Sequence, residues 1–490
     1  MESSMLFNSL EFVLFLPIAF CLYWLSTDKI RWIVLLVIDW YFYLSLCPKF
    51  FPLLLFITFI SWIFAIMMDR QKTSSKNKSL YLICSILICF SFLFFFKYFN
   101  FASEIASGIA GAVGLNLHPK TLAIAQPAGI SFYTFMTVSY LVDVYKGKIK
   151  AESNFAKLSL YVSFFPQIIA GPIGRAPQLL GQFFEKRDFD AAKAESGLRL
   201  IMWGYFKKLI IADSLSAYVD SIYSSVYDYF GMTFIITSLM YTMQIYCDFS
   251  GYSDIAIGVA RLFNIDLMEN FKSPYFSRSI KEFWSRWHIS LSTWFRDYVY
   301  IPLGGSRHGE LKKNRNILLT MLASGLWHGA NWTFIVWGGL HGIYQVIEGL
   351  FWTRSGEKKD RQTGVASNVI HWALTFILVD IAWIFFRADN FSDAFYVVSH
   401  LHSGVILHFA AAWTRMLTDF GITGLDLLKL TAPVILLVIY DFISLKKDIS
   451  TEFSKVPLLV RWPIYIALTV WVVTTQLNGG TTQSFIYFTF

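Results

Sequence analysis

The sequence predicts an all-α polytopic membrane protein with about 11 or 12 transmembrane helices and one or two re-entrant or interfacial pieces. Three observations lead there: the balance of apolar to charged residues, the repeated apolar runs, and the spacing of basic segments between them. Hydrophobic residues make up 56% of the 490 positions and charged residues 15%, against roughly 45–50% and 25% in soluble domains. With 48 Phe, 25 Tyr and 17 Trp, a soluble fold would be coated in exposed apolar surface, whereas in a bilayer lipid is the solvent. The formal net charge of +8 does not point to nucleic acid, because the lysines and arginines fall mainly in short loops between apolar runs. The five cysteines lack metal-ligand spacing and read as reduced packing residues, with a reservation for Cys247 beside the segment DFSGYSD.

A hydrocarbon core of about 30 Å needs roughly 20 apolar residues per helix. Such runs occur near 6–26, 31–48, 50–68, 79–99, 122–143, 196–222, 229–262, 316–330, 332–352, 367–387, 427–444 and 457–475. The first reads as a retained span rather than a cleaved leader, since Glu11 interrupts it and no basic region precedes it. Basic segments at 70–78, 146–150, 278–315, 354–361 and 445–447 are separated by even numbers of runs, so all can lie in the cytoplasm. Three runs precede the first of them, which puts the N-terminus outside; the C-terminus is outside if 457–475 crosses and inside otherwise. The chain reads as one integral-membrane domain, 1–490, with a motif-bearing core at about 120–350 and C-terminal helices over 367–490. No internal repeat is visible, which disfavours transporters built from paired halves.

Four stretches interrupt this pattern. Residues 164–183 carry three prolines and three glycines, 244–265 place Asp248, Ser250, Ser253 and Asp254 near membrane depth, 298–307 end in a Pro-Leu-Gly-Gly turn, and 327–334 contain Gly329 and Asn331. Irregular backbone survives in a membrane only where it is buried in protein or lines a cavity, so these segments suggest the walls of a funnel or pore; ordinary kinked packing is the alternative. In 388–426, His400, His402 and His408 accompany Asp389 and Asp393. No carboxylate stands at helical spacing in SHLHSGVILHF, so an external or interfacial amphipathic segment is expected there and no metal site.

His328 and His288 are the candidate catalytic residues. A near-neutral imidazole can accept the proton of a hydroxyl attacking an acyl carbonyl, and an intramembrane histidine is a functional candidate by default. The bland alternatives are helix glue for His328 and an interfacial aromatic belt for His288. Arg286, Trp287, Asn331 and Asp248 are the candidate substrate-binding residues. Arg286, with Arg296, Arg307 and Lys312, reads either as a positive-inside anchor or as a docking surface for a phosphate-bearing acyl donor. Asp248 and Asp254, six residues apart, are about 120° from sharing a helix face, which fits a hydrogen-bonded polar core better than a carboxylate pair. His341 reads as packing and His308 as solvated.

GISFYTFMTVSYLVDVYKG (129–147), FFPQIIAGPIGR (164–175), GYFKKLIIAD (204–213), YCDFSGYSDIAIGVARLFNI (246–265), FKSPYFSRSIKEFWSRWHISLSTWFRDYVYIPLGG (271–305), GLWHGANWTFIVWGGLHG (325–342) and the closing FIYFTF (485–490) resemble the membrane-bound O-acyltransferase (MBOAT) family. The resemblance is to the branch containing the alginate O-acetylation membrane protein. It implies the MBOAT fold, helices around a central channel, with the catalytic histidine at His328 and the second histidine of the family pair at His288. It further implies a cytoplasmic acyl thioester donor, acetyl-CoA in the acetylating branch, and no bound cofactor. The partners implied are an extracytoplasmic acetyltransferase, a polysaccharide acceptor such as an alginate-like exopolysaccharide or peptidoglycan, and the lipid bilayer of the bacterial inner membrane. The alternatives are D-alanyl or other acyl transfer to a cell-wall polymer, a glycan transporter or flippase, and an assembly scaffold. Two positions depart from the family pattern: Met136 where a glutamine is expected, and Gly174 where a β-branched residue is.

Overall fold

The computed structural model describes residues 5–71, 76–115, 118–354, 364–405, 407–447, 449–477 and 485–486. The described residues form helices joined by turns and loops, with no strand among them. Among the described residues, five helical stretches are long and apolar enough to cross a membrane: Pro48–Asp69, Lys76–Ala112, Val365–Arg387, Gly424–Ser444 and Leu458–Thr475. They keep large apolar side chains such as Leu374, Ile377, Ile435 and Leu459 exposed, as lipid-facing surfaces do. Of the basic segments, 72–75 and 355–361 lie outside the described residues, and the closing aromatic motif is described only at Phe485 and Ile486.

The chain divides into two compact units, Met1–Ile201 with Ile255–Met268, and Met202–Asp254 with Glu269–Phe490. In the first unit, the run expected over 122–143 becomes helical only at Ile130. Pro127 precedes the helix, and Gly129 at φ 74° is left-handed, with a side chain there running into the Ile168 carbonyl. The segment after helix Phe155–Ser163 is irregular but fully internal. Buried Asp39 accepts the Phe165 N–H at 3.0 Å, Gln167 Nε2 donates to Tyr161 O at 2.9 Å, and Tyr161 Oη donates to Gly174 O at 2.9 Å. Backbone polar groups freed by the prolines thus find side-chain partners inside the protein. A Cβ on Gly174 would meet Leu179 Cδ2 at 2.8 Å and the Gln167 amide, so the expected β-branched residue would require those two side chains to shift.

The second unit, with the helices that run on into it from the first, departs from the sequence pattern in two ways. The run at 196–222 is not one regular helix: Ala191–Tyr205 passes into a π-helical turn, Phe206–Ala212, and then Asp213–Tyr223. Residues 244–265 do not break the chain either, since Met232–Leu262 is a continuous helix of 31 residues. Its interruption is chemical, polar residues set in an apolar helix, rather than conformational.

Helices Glu310–His328 and Trp332–Arg354 form a close antiparallel hairpin in this unit. Gly325 and Gly338 set the approach. A Cβ at Gly325 would enter the Phe334 carbonyl, one at Gly338 the Met321 carbonyl, and each would lie 3.2 Å from the other glycine's Cα. Small residues at such crossings let membrane helices gain dispersion contacts along their backbones. Gly338→Ala is therefore expected to destabilise by about 1–3 kcal/mol through overpacking. Gly349→Ala, where a Cβ meets nothing within 4 Å, should be neutral or slightly stabilising. Thermal denaturation of the two variants in detergent, followed by size exclusion, checks this; equal midpoints would mean the crossing relaxes.

Candidate active site

His328 is the last residue of helix Glu310–His328, where the hairpin turns. Gly329 adopts an extended conformation and has the Phe334 ring where a side chain would sit. Asn331 then starts the next helix, its Oδ1 accepting the Thr333 N–H at 3.1 Å while its Nδ2 donates to Asp389 O at 2.8 Å. Glycine and asparagine, conspicuous in an apolar run, are what stop one helix and cap the next. The amide of Asn331 is thereby engaged at both ends within the protein.

His328 is 3% exposed and packs edge-on against Trp327, Trp337 and Phe386, with ring centroids at 4.9, 5.0 and 5.3 Å. The Trp327 ring also lies 6.2 Å from that of His288, so the two candidate catalytic histidines flank one indole. On the other side Trp337 stands 5.0 Å from His341, a buried residue whose Nδ1 accepts the Trp284 indole N–H at 3.3 Å. An indole only donates, so neutral His341 carries its proton on Nε2. Trp337 Nε1 and His341 Nε2 have no hydrogen-bond partner among the described residues. Two buried N–H donors thus belong to Trp337, which packs on His328, and to His341, which packs on Trp337.

His288 sits between two short helices. Ser279 caps the first, Ile280–Arg286, by accepting the Glu282 N–H at 2.9 Å, and Arg286 pairs with Glu282 at 2.8 Å. Trp287 is buried among Phe271, Phe283 and Trp383, with centroids at 5.0, 5.5 and 5.0 Å. His288 itself takes φ 43° and ψ 55°, left-handed, before helix Ile289–Phe295 begins. Such a conformation is uncommon for a residue with a Cβ and marks a position held by its surroundings. What holds it is Asn270, absent from the residues singled out in the sequence. Its carbonyl accepts Ile289 N–H at 3.0 Å, and its Oδ1 takes Ser290 N–H at 3.2 Å and lies 3.1 Å from His288 Nδ1.

Asp248 lies in a separate polar cluster of the same unit. Lys208 reaches Asp248 at 2.5 Å and Asp213 at 2.9 Å, while Lys207 reaches Asp254 at 2.5 Å and Ser250 at 3.0 Å. The π-helical turn places two consecutive lysines against carboxylates spaced six apart. Asp248 Oδ2 also accepts the Ile486 N–H at 2.9 Å, and Phe485 packs its ring 4.4 Å from the Lys208 ammonium. Asp248, a candidate substrate-binding residue from the sequence, thus holds the Ile486 backbone, beside Phe485 on Lys208. The doublet in GYFKKLIIAD, two charges in an apolar run, was the available signal for this network.

The sequence profile of MBOAT, the membrane-bound O-acyltransferase family, matches residues 146–386. A probable alginate O-acetylase of Pseudomonas putida is 37% identical over 459 residues, covering 93% of this chain and 91% of that protein. The chain belongs to the membrane-bound O-acyltransferase family. A peptidoglycan O-acetyltransferase of Helicobacter pylori is 35% identical over 80% of the chain and 79% of its own length. A teichoic acid D-alanyltransferase of Streptococcus thermophilus is 31% identical over 49% and 61%. As an MBOAT protein the chain is a membrane-bound acyltransferase, and the segment matched by the family profile contains His288, His328, His341, Asn270 and the lysine–aspartate network.

Proposed function

We propose that this MBOAT protein passes an acetyl group from cytoplasmic acetyl-CoA through the membrane for O-acetylation of an extracytoplasmic polysaccharide, with His328 as base or relay. The observation that carries the reading is the placement of His328, buried at the break of the hairpin in an aromatic wall shared with His288 and His341. His328 accepts the proton of the attacking hydroxyl as its oxygen bonds to the thioester carbonyl carbon. The C–S bond breaks and the proton passes to the departing thiolate. The imidazolium formed on the way stands at the C-terminal end of helix Glu310–His328, where the helix dipole favours positive charge. The Trp337 and His341 N–H groups are suited to stabilise the oxyanion.

The whole chain acts as one integral domain of the bacterial inner membrane, with about 11 or 12 spans around a channel. The donor enters from the basic cytoplasmic side, where Arg286 offers a contact for its phosphates. A partner acetyltransferase outside the membrane receives the group and selects the glycan. The similarity to O-acetylating relatives over most of the chain supports acetyl over D-alanyl transfer, for which the likeness spans about half of it. Purified protein in proteoliposomes, given radiolabelled acetyl-CoA with and without the partner, tests this directly. Label should reach a hydroxyl acceptor only with this protein present. Thioester consumption equal to that of empty liposomes would overturn the acyltransfer reading, and transfer confined to D-alanyl donors would overturn the choice of acetyl.

A further inference from the structure

We infer that Asn270 is a positioning residue that fixes His288 as the Nδ1–H tautomer, so that Nε2 is the basic nitrogen this histidine brings to the site. The assignment follows from one obligatory donor. The Ser290 backbone N–H points at the Asn270 side-chain atom at 3.2 Å, and a backbone N–H can only donate, so that atom is the amide oxygen. The other end of the amide agrees, with Nδ2 donating to Ser253 Oγ at 3.1 Å from helix Met232–Leu262. An oxygen at that position accepts from His288 Nδ1 at 3.1 Å, which places the ring proton on Nδ1. Ser290 Oγ donates to the same oxygen at 2.9 Å.

Asn270 also supplies the cap that helix Ile289–Phe295 lacks from its own N-cap position, which His288 occupies without a capping side chain. Two of the helix's first N–H groups, of Ile289 and Ser290, go to the Asn270 carbonyl and side chain. The left-handed backbone at His288 and the ring tautomer are therefore held by one residue. Phe249 packs edge-on to the ring at 4.6 Å, limiting its rotation. Fixing a histidine's tautomer through the hydrogen bond on its other nitrogen is a general device wherever one ring nitrogen must be basic.

Full-length protein labelled with 15N-histidine in nanodiscs provides the test, with His288→Gln identifying the signal. Wild type should show a protonated Nδ1 and an unprotonated Nε2. Asn270→Asp keeps the acceptor, since Ser253 can turn its hydroxyl to donate, and should keep Nδ1 protonated. Asn270→Leu should move the proton to Nε2 or leave a mixture. Its kcat for acyl transfer should fall roughly a hundredfold with little change in KM, and Asn270→Asp should restore most of that loss. A wild-type signal protonated on Nε2 alone, or an unchanged tautomer in Asn270→Leu, overturns the inference; should Asn270→Leu not fold, the wild-type and Asp spectra decide it. The kinetic arm rests on the acyltransfer reading and the spectroscopic arm does not. An Nδ1–H signal in a protein that transfers no acetyl group would thus remove that reading and leave the tautomer standing.

Discussion

Replacing His328 by Gln is expected to lower acyl transfer about a thousandfold, within the range that a positioned general base contributes, while the protein still folds. Gln retains bulk between Trp327, Trp337 and Phe386 and so limits the cavity that Ala would open. Neither Gln nor Ala can take up a proton near neutral pH, so both should lose turnover equally. They should differ in thermal midpoint, with Ala the lower. Turnover is measured with labelled donor and acceptor at saturating concentrations, beside a midpoint for each variant. Wild-type turnover in His328→Gln would remove this histidine from the chemistry. The same loss in His341→Gln would show that the oxyanion donor beside Trp337 matters as much as the base.

The parts of the site legible in the sequence were those where chemistry clashed with its surroundings. His328, Gly329 and Asn331 stood out because an imidazole, a glycine and an amide interrupt an apolar run, and each has a local structural consequence at the hairpin turn. The prolines and glycines of 164–183 announced irregular backbone for the same reason. Asn270 could not be read this way. It looks like an ordinary loop residue next to the motif that begins at Phe271, and its role exists only through residues 17 to 20 positions away along the chain. Span boundaries failed where a local rule outranked hydropathy: Pro127 and Gly129 delay a helix that composition alone would begin near 122. The polar residues of Met232–Leu262 were visible singly but not as pairs. Two consecutive lysines meet acids of that helix through a π-helical turn that no periodicity predicts.

That lysine pair carries the largest stability effect expected in the molecule. Lys208→Met should destabilise the protein by about 3–5 kcal/mol, the usual cost of removing one partner from a buried ion pair. The Lys208 side chain is 1% exposed, and those of Asp248 and Asp213 are 3% and 8% exposed. Methionine fills a similar volume but leaves two buried carboxylates near one another without the ammonium between them. The combined variant Lys208→Met, Asp248→Asn, Asp213→Asn should recover much of the loss, because replacing a whole buried ionic group is far cheaper than halving it. The terminal segment gives an independent readout. Deleting residues 485–490 removes the Ile486 hydrogen bond to Asp248 and the Phe485 contact with Lys208, and should cost wild type about 1–3 kcal/mol. In Lys208→Met the same deletion should cost clearly less, since one of its two anchors is already gone. Thermal midpoints of the single, combined and truncated proteins close the cycle. Strict additivity of Lys208→Met and the deletion would show that the terminal segment is held without the lysine–aspartate network.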